Sequence, residues 1–144
     1  MNRFISAIFC DDIRMEVGNK LSMIGVYNGV MLVPAFPITL PKLCIALSAR
    51  TDGRNPFKQL VFRVLKGEEL LVEVPIPIEA FPEIQVPLAG DVAINPNDRL
   101  QVCNGNIVIS PFVVDKPTTI RVRAIADGEE LKALALTIVQ QPVQ

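Results

Sequence analysis

The chain has 144 residues, 14 of them basic and 15 acidic, for a formal charge of −1. It contains no histidine and no tryptophan, so the commonest general base and metal ligand are missing. The balanced charge leaves no electrostatic footprint for nucleic acid, and the length suits one domain over 1–144 with a sizeable core.

In chain order, the first element is the apolar run Phe4–Cys10. It superficially resembles a signal peptide, but it is short, no small-residue cleavage pattern follows, and Asp11-Asp12 closes it. A first strand is the expectation. No run approaches the roughly 20 apolar residues of a membrane helix, so no membrane contact is expected. Asp11, Asp12, Arg14, Glu16 and Lys20 make the next segment polar-dense. Their simplest use is an ion-pair set bracing the first two strands around a Gly18-Asn19 turn. In a functional reading, Asp11 and Asp12 accept from a partner's arginine or from a ligand. Leu21–Tyr27, Asn28-Gly29 and Val30–Val33 then read as a type I′ hairpin, because Asn-Gly tolerates two consecutive positive φ angles. Tyr27, the only tyrosine, reads as a strand-end anchor.

The stretch Phe9–Tyr27 (FCDDIRMEVGNKLSMIGVY) resembles the opening of an uncharacterised family of small bacterial and phage-associated β proteins. That family shares a Phe-Cys-acidic-acidic run, an arginine, a glutamate, a glycine-containing turn and an Ile-Gly-Val-aromatic strand. The resemblance continues loosely through Pro34–Leu47. It implies no assigned activity and brings no catalytic residues.

Beyond the prolyl connection Pro34–Pro41, strands announce themselves by alternation. Leu43, Ile45 and Leu47 alternate with Cys44, Ala46 and Ser48; Leu60, Phe62 and Val64 share one face, with Arg63 on the other. Leu60–Leu65 turns into Leu70–Val74 through Lys66–Glu69, giving a hairpin. The prolines of Pro75–Ala89 belong outside the sheets or at their edges. Asn95–Asp98 reads as a turn, and Leu100–Cys103, Asn104-Gly105 and Asn106–Ile109 as a second Asn-Gly hairpin. Ile120, Val122 and Ala124 alternate with Arg121 and Arg123, and this strand turns through Asp127–Glu130 into Leu131–Ile138, where Leu134, Leu136 and Ile138 share a face. The repeated Gly-Glu-Glu-Leu at 67–70 and 128–131 is read as recurrent turn chemistry rather than a duplication. About eight strands with turns at this spacing predict an all-β, two-sheet antiparallel β-sandwich, immunoglobulin-like or C2-like, with a small closed barrel as the alternative.

Little chemistry is written in the chain. Cys10, Cys44 and Cys103 are far apart within apolar runs and read as buried thiols, which suits the cytoplasm or a particle assembled there. Asp11, Asp12, Asp52, Asp91, Asp98 and Asp127 are the calcium candidates, but they fall singly in turns without a ligand spacing, so no metal and no cofactor is expected. No Gly-x-Ser-x-Gly, phosphate loop or Cys-x-x-Cys occurs, and no enzyme is expected. What remains is a protein-interaction or assembly module, oligomeric, with itself or another protein as partner, for example a phage virion accessory. Val61 and Leu65 opposite Leu60, Phe62 and Val64 support it, since a strand apolar on both faces needs two covers. The alternative is a metabolite- or nucleotide-sequestering protein with a pocket between protomers. Arg50, Arg54, Lys58, Arg121 and Arg123 would be its phosphate-binding reservoir.

Overall fold

A computed structural model describes residues 3–77, 85–87 and 99–143. Its elements are β1 (Phe4–Glu16), β2 (Lys20–Val26), β3 (Val30–Val33), β4 (Ile38–Leu40), β5 (Leu43–Asp52), β6 (Leu60–Lys66) and β7 (Glu69–Pro75). They continue as β8 (Gln85–Pro87), β9 (Arg99–Ile109), β10 (Phe112–Val114), β11 (Thr118–Ala126), β12 (Glu129–Lys132) and β13 (Leu136–Gln140). The fold is all-β, and the described residues include no helix.

One sheet runs β2-β1-β5-β9-β8 and a second runs β3-β13-β11-β6-β7, with β12 also on β11; β10 and β4 form a two-stranded ribbon. The period-two pattern explains why the two large sheets face each other. Ile5, Phe9, Leu43, Ile45 and Leu47 point inward from the first sheet; Leu60, Phe62, Val64, Ile120 and Val122 point inward from the second, and all belong to one buried cluster. Burying each such side chain contributes about 2 kcal/mol against the entropy of ordering the chain.

The turns follow residue chemistry. Asp127 (φ 50) and Gly128 (φ 84) both take positive φ between β11 and β12, as a type I′ turn requires. Gly67 (φ 62) occupies the first central position of the two-residue β6–β7 turn. Gly18 (φ 88) and Asn19 (φ 59) turn β1 into β2. Both hairpins expected after β6 and β11 are present, and the prolines Pro75 and Pro87 fall on the edge strands β7 and β8. Pro82, Asp91, Asp98 and the Asn95–Asp98 turn lie outside the described residues.

Several expectations need correction. Asn28-Gly29 does turn, with Gly29 at φ 83, but it does not close a hairpin. It carries the chain from one sheet to the other, where β3 runs parallel to β13 and Val30 faces Thr137. Positive φ redirects a chain, but burial of Met31 and Val33 selects the strand it meets next. Asn104-Gly105 is no turn at all. Both residues lie inside β9, opposite Ser48 and Leu47 in a ladder that runs unbroken from Leu43↔Ile109 to Asp52↔Leu100. A long ladder with one buried face outweighs the local preference of a dipeptide. Leu134 does not share the face of Leu136 and Ile138; it is 86% exposed where the expected single strand breaks between β12 and β13. The strands number thirteen among the described residues rather than about eight. Neither large sheet closes into a barrel.

Candidate functional site

The acidic and basic residues near the N-terminus fall on one amphipathic hairpin. β1 pairs with β5 only as far as Cys10↔Cys44, and beyond that point it pairs with β2 alone. Cross-strand partners share a face, so Ile13↔Met23 and Met15↔Leu21 give one apolar side. Asp12↔Ile24, Arg14↔Ser22 and Glu16↔Lys20 give the charged side. Asp12 lies 3.4 Å from Arg14 Nε and 2.5 Å from Lys42 Nζ. These contacts hold its carboxyl below the usual range, the Lys42 hydrogen bond leading, and the same bond raises Lys42. Of the expected ion-pair set only Asp12 and Arg14 pair, joined by Lys42, which no spacing in the sequence announced; Glu16 and Lys20 face each other across the strands without an ion pair among the described residues. Being exposed, such pairs contribute little stability.

Asp11 stands apart from that set. Its carboxylate accepts a hydrogen bond from the Tyr27 hydroxyl and lies over Gly25, which adopts φ 69. A Cβ at Gly25 would stand 2.8 Å from the Asp11 carboxyl carbon, so glycine is what lets the carboxylate reach the phenol. Tyr27 is pushed up to about 12, first by burial and then by the bond to Asp11. Tyr27 N also donates to Phe9 O at 2.8 Å, anchoring the strand end. Beneath the hairpin base, Cys10 and Cys44 are buried on adjacent strands, donating to the carbonyls of Asp12 (3.5 Å) and Asp11 (3.7 Å). Burial raises the Cys10 thiol, and Cys44 and Asp11 add to it; burial alone raises Cys103. All three are buried free thiols.

The hairpin leans over the outer face of the first sheet. Leu21 and Met23 from β2 line one groove of about 240 Å³ with Ser6, Ile8, Ala46, Ser48, Arg50, Asn104 and Asn106. Its floor is ordered by register, with Ser6↔Ser48 and Ser48↔Asn104 in one row and Ile8↔Ala46 and Ala46↔Asn106 in the next. Arg50 lies over the Phe4 ring, 5.5 Å from its centroid. Alternation marked Ser48 as outward-facing, but pairing across three strands was needed to assemble the floor.

The five cations proposed as a phosphate reservoir are dispersed. Arg50 is on the outer face of the first sheet; Arg54 pairs with Asp52 at 2.9 Å, and that carboxyl is lowered to about 2, chiefly by the Arg54 side chain. Lys58 meets Asp127 through its backbone N–H at 3.0 Å. Arg121 and Arg123 lie on the outer face of the second sheet. There Arg121 donates to Gly67 O at 2.9 Å, and Arg123 faces Arg63 across the strands while approaching Glu130 at 3.9 Å. Arg63 Nε lies 3.3 Å from Glu73 as an ion pair without hydrogen-bond geometry. The described calcium candidates have protein partners: Tyr27 for Asp11, Lys42 and Arg14 for Asp12, Arg54 for Asp52, Arg3 for Asp127.

Residues 5–139 match the model of a Family of unknown function (DUF6941), and the chain belongs to that family. No curated protein and no solved structure matches.

Proposed function

From membership of a family that brings no activity, we propose that this chain is a non-enzymatic protein-interaction or assembly module that works as an oligomer. One observation carries the reading: two open strand edges meet on one side of the sandwich. β2 ends the first sheet and β3 ends the second, and they are joined directly through Tyr27-Asn28-Gly29. Ile24, Val26, Val30 and Leu32 on these strands are between 46 and 54% exposed, and Leu134 stands beside them. Open edges carrying apolar side chains are what a further strand or a second copy covers. The occupant we favour is another copy of the chain, in the cytoplasm or in a particle assembled there, a phage virion accessory being one concrete form. The two facing sheets support an immunoglobulin-like or C2-like variant of the sandwich as the finer description of the fold.

The test is light scattering coupled to size-exclusion chromatography on tag-free protein at high micromolar concentration. The expected result is at least a dimer, and Ile24→Lys with Leu32→Lys should return it to monomer while the circular dichroism is unchanged. A wild-type monomer under those conditions would overturn the self-association reading. The sequestering alternative draws less support, because its five cations are dispersed over β5, the loop after it and β11.

A further inference from the structure

We propose that the groove between the β1–β2 hairpin and the outer face of the first sheet binds a small ligand with an apolar body and a carboxylate. The carboxylate is assigned by Arg50. Its guanidinium rests on the Phe4 ring and pairs with no carboxylate among the described residues. Stacking on a ring leaves the planar N–H fork free at its edge, and that fork matches a carboxylate in two parallel hydrogen bonds. No other charged side chain is among the described residues lining the groove, which favours a single negative charge over a phosphate that needs several cations.

The rest of the ligand is assigned by the floor and walls. Ser6, Asn104 and Asn106 supply a hydroxyl and two amides that both donate and accept. The Ser48 hydroxyl is itself covered, without a hydrogen-bond partner among the described residues, so the exposed Ser6, Asn104 and Asn106 are the polar floor groups within a ligand's reach. Ile8, Leu21 and Met23 form apolar walls, and Ile8 and Leu21 are left partly uncovered. A groove of about 240 Å³ is smaller than the roughly 300–1,000 Å³ of sites for drug-sized molecules, so the body is short. The groove shares β2 with the association proposed above through Leu21 and Met23, but none of Ile24, Val26, Val30 and Leu32, which carry that proposal, lines it, so the two are tested by separate readouts.

Hexanoate and hexanol are the probes, titrated into ¹⁵N-labelled full-length protein at constant pH and ionic strength. The readout is the side-chain amide resonances of Asn104 and Asn106 and the Nε resonance of Arg50. Hexanoate should shift all three saturably and bind about tenfold more tightly than hexanol, which corresponds to about 1.4 kcal/mol. Arg50→Gln should reduce hexanoate to the affinity of hexanol, while Arg121→Gln, on the opposite sheet, should leave it unchanged. Equal affinity for the two probes, no saturable shift, or an Arg50→Gln protein that still prefers hexanoate would each overturn the site. So would shifts of these resonances with protein concentration alone, which would place a second copy in the groove. Light scattering on the same samples reports the edge association separately.

Discussion

Arg3 and Asp127 meet at 2.8 Å and join the two sheets at one end of the sandwich. The Arg3 side chain is only 6% exposed. It also donates to Thr51 Oγ1, to the carbonyls of Asn55 and Pro56, and lies over the Phe57 ring. Asp127 in turn accepts from the N–H groups of Lys58 (3.0 Å) and Gln59 (2.7 Å), just before β6. One ion pair thus fixes the start of β1, the loop after β5, the entry to β6 and the β11–β12 turn.

Removing the carboxylate leaves a buried guanidinium with only neutral partners. Asp127→Ala should lower stability by about 3 kcal/mol in chemical denaturation. Asp127→Asn should cost less, because asparagine tolerates positive φ and still accepts from the two N–H groups. Desolvation acts to raise the Asp127 carboxyl, but Gln59 N–H, Arg3 and Lys58 N–H together hold it below its ordinary value. Its contribution is therefore complete above the unfolded value of about 3.9 and is lost as pH falls through the lower folded value. The wild type should lose its advantage over Asp127→Asn in that acid window. Parallel pH profiles for the two proteins would show that the charge contributes nothing.

Tyr27 offers a second measurement, since it is the only tyrosine and can be titrated by ultraviolet absorbance without interference. Its phenol should titrate near 12. Asp11→Ala removes the acceptor, and Gly25→Ala forces the carboxylate aside, so either should bring the value down towards 10.0. A raised folded value means that the neutral phenol stabilises the fold fully below 10.0, and that this stability drains away as pH rises towards 12. Gly25→Ala should in addition cost about 1–2 kcal/mol for its positive φ. An unchanged Tyr27 titration in Asp11→Ala would remove Asp11 from the account.

The sequence displayed its strands more clearly than its connections. Leu60, Phe62 and Val64, or Ile120, Val122 and Ala124, show their buried face by alternation, because a pleated strand has a fixed period of two. Asp127-Gly128 and Gly67 were readable because each sits between strands that have no other way to meet. Asn28-Gly29 and Asn104-Gly105 were not, since a dipeptide records what the backbone tolerates locally, while strand choice depends on distant partners such as Thr137 or Ser48. The site divides in the same way. Asp11, Asp12, Arg14, Glu16 and Lys20 are close in sequence and read as one set, yet only Asp12 and Arg14 pair within it, while Asp11 turns to Tyr27. The groove floor draws on Ser6, Ser48 and Asn104, far apart in the chain, and only the β1-β5-β9 register brings them into a row.

The two Asn-Gly sites should consequently answer substitution with opposite signs. Gly29 holds φ 83, so Gly29→Ala should destabilise by about 1–2 kcal/mol, although its Cβ would meet open space. Gly105 has no positive φ, and a Cβ there would have nothing within 4 Å. Gly105→Ala should therefore stabilise by up to about 1 kcal/mol, because alanine has less unfolded-state freedom to lose. Thermal and denaturant melts of the two variants decide the matter. A loss at Gly105 equal to that at Gly29 would restore the turn that the β9 ladder denies.

Ser48 provides the last case, in which a deletion should not weaken the fold. Its hydroxyl is excluded from water yet has no hydrogen-bond partner among the described residues, so the folded protein bears the cost of desolvating it without a compensating hydrogen bond. Ser48→Ala removes that cost, together with one small atom from a position that is only partly buried. The expected result is a gain of up to about 1 kcal/mol in chemical denaturation. Ser6→Ala, one strand away in the same row, removes an exposed hydroxyl and should stay within about 0.5 kcal/mol of wild type. If Ser48→Ala instead loses stability while Ser6→Ala does not, the Ser48 hydroxyl has a partner in solution. An ordered water held between it and Asn104 is the arrangement that the register would then favour.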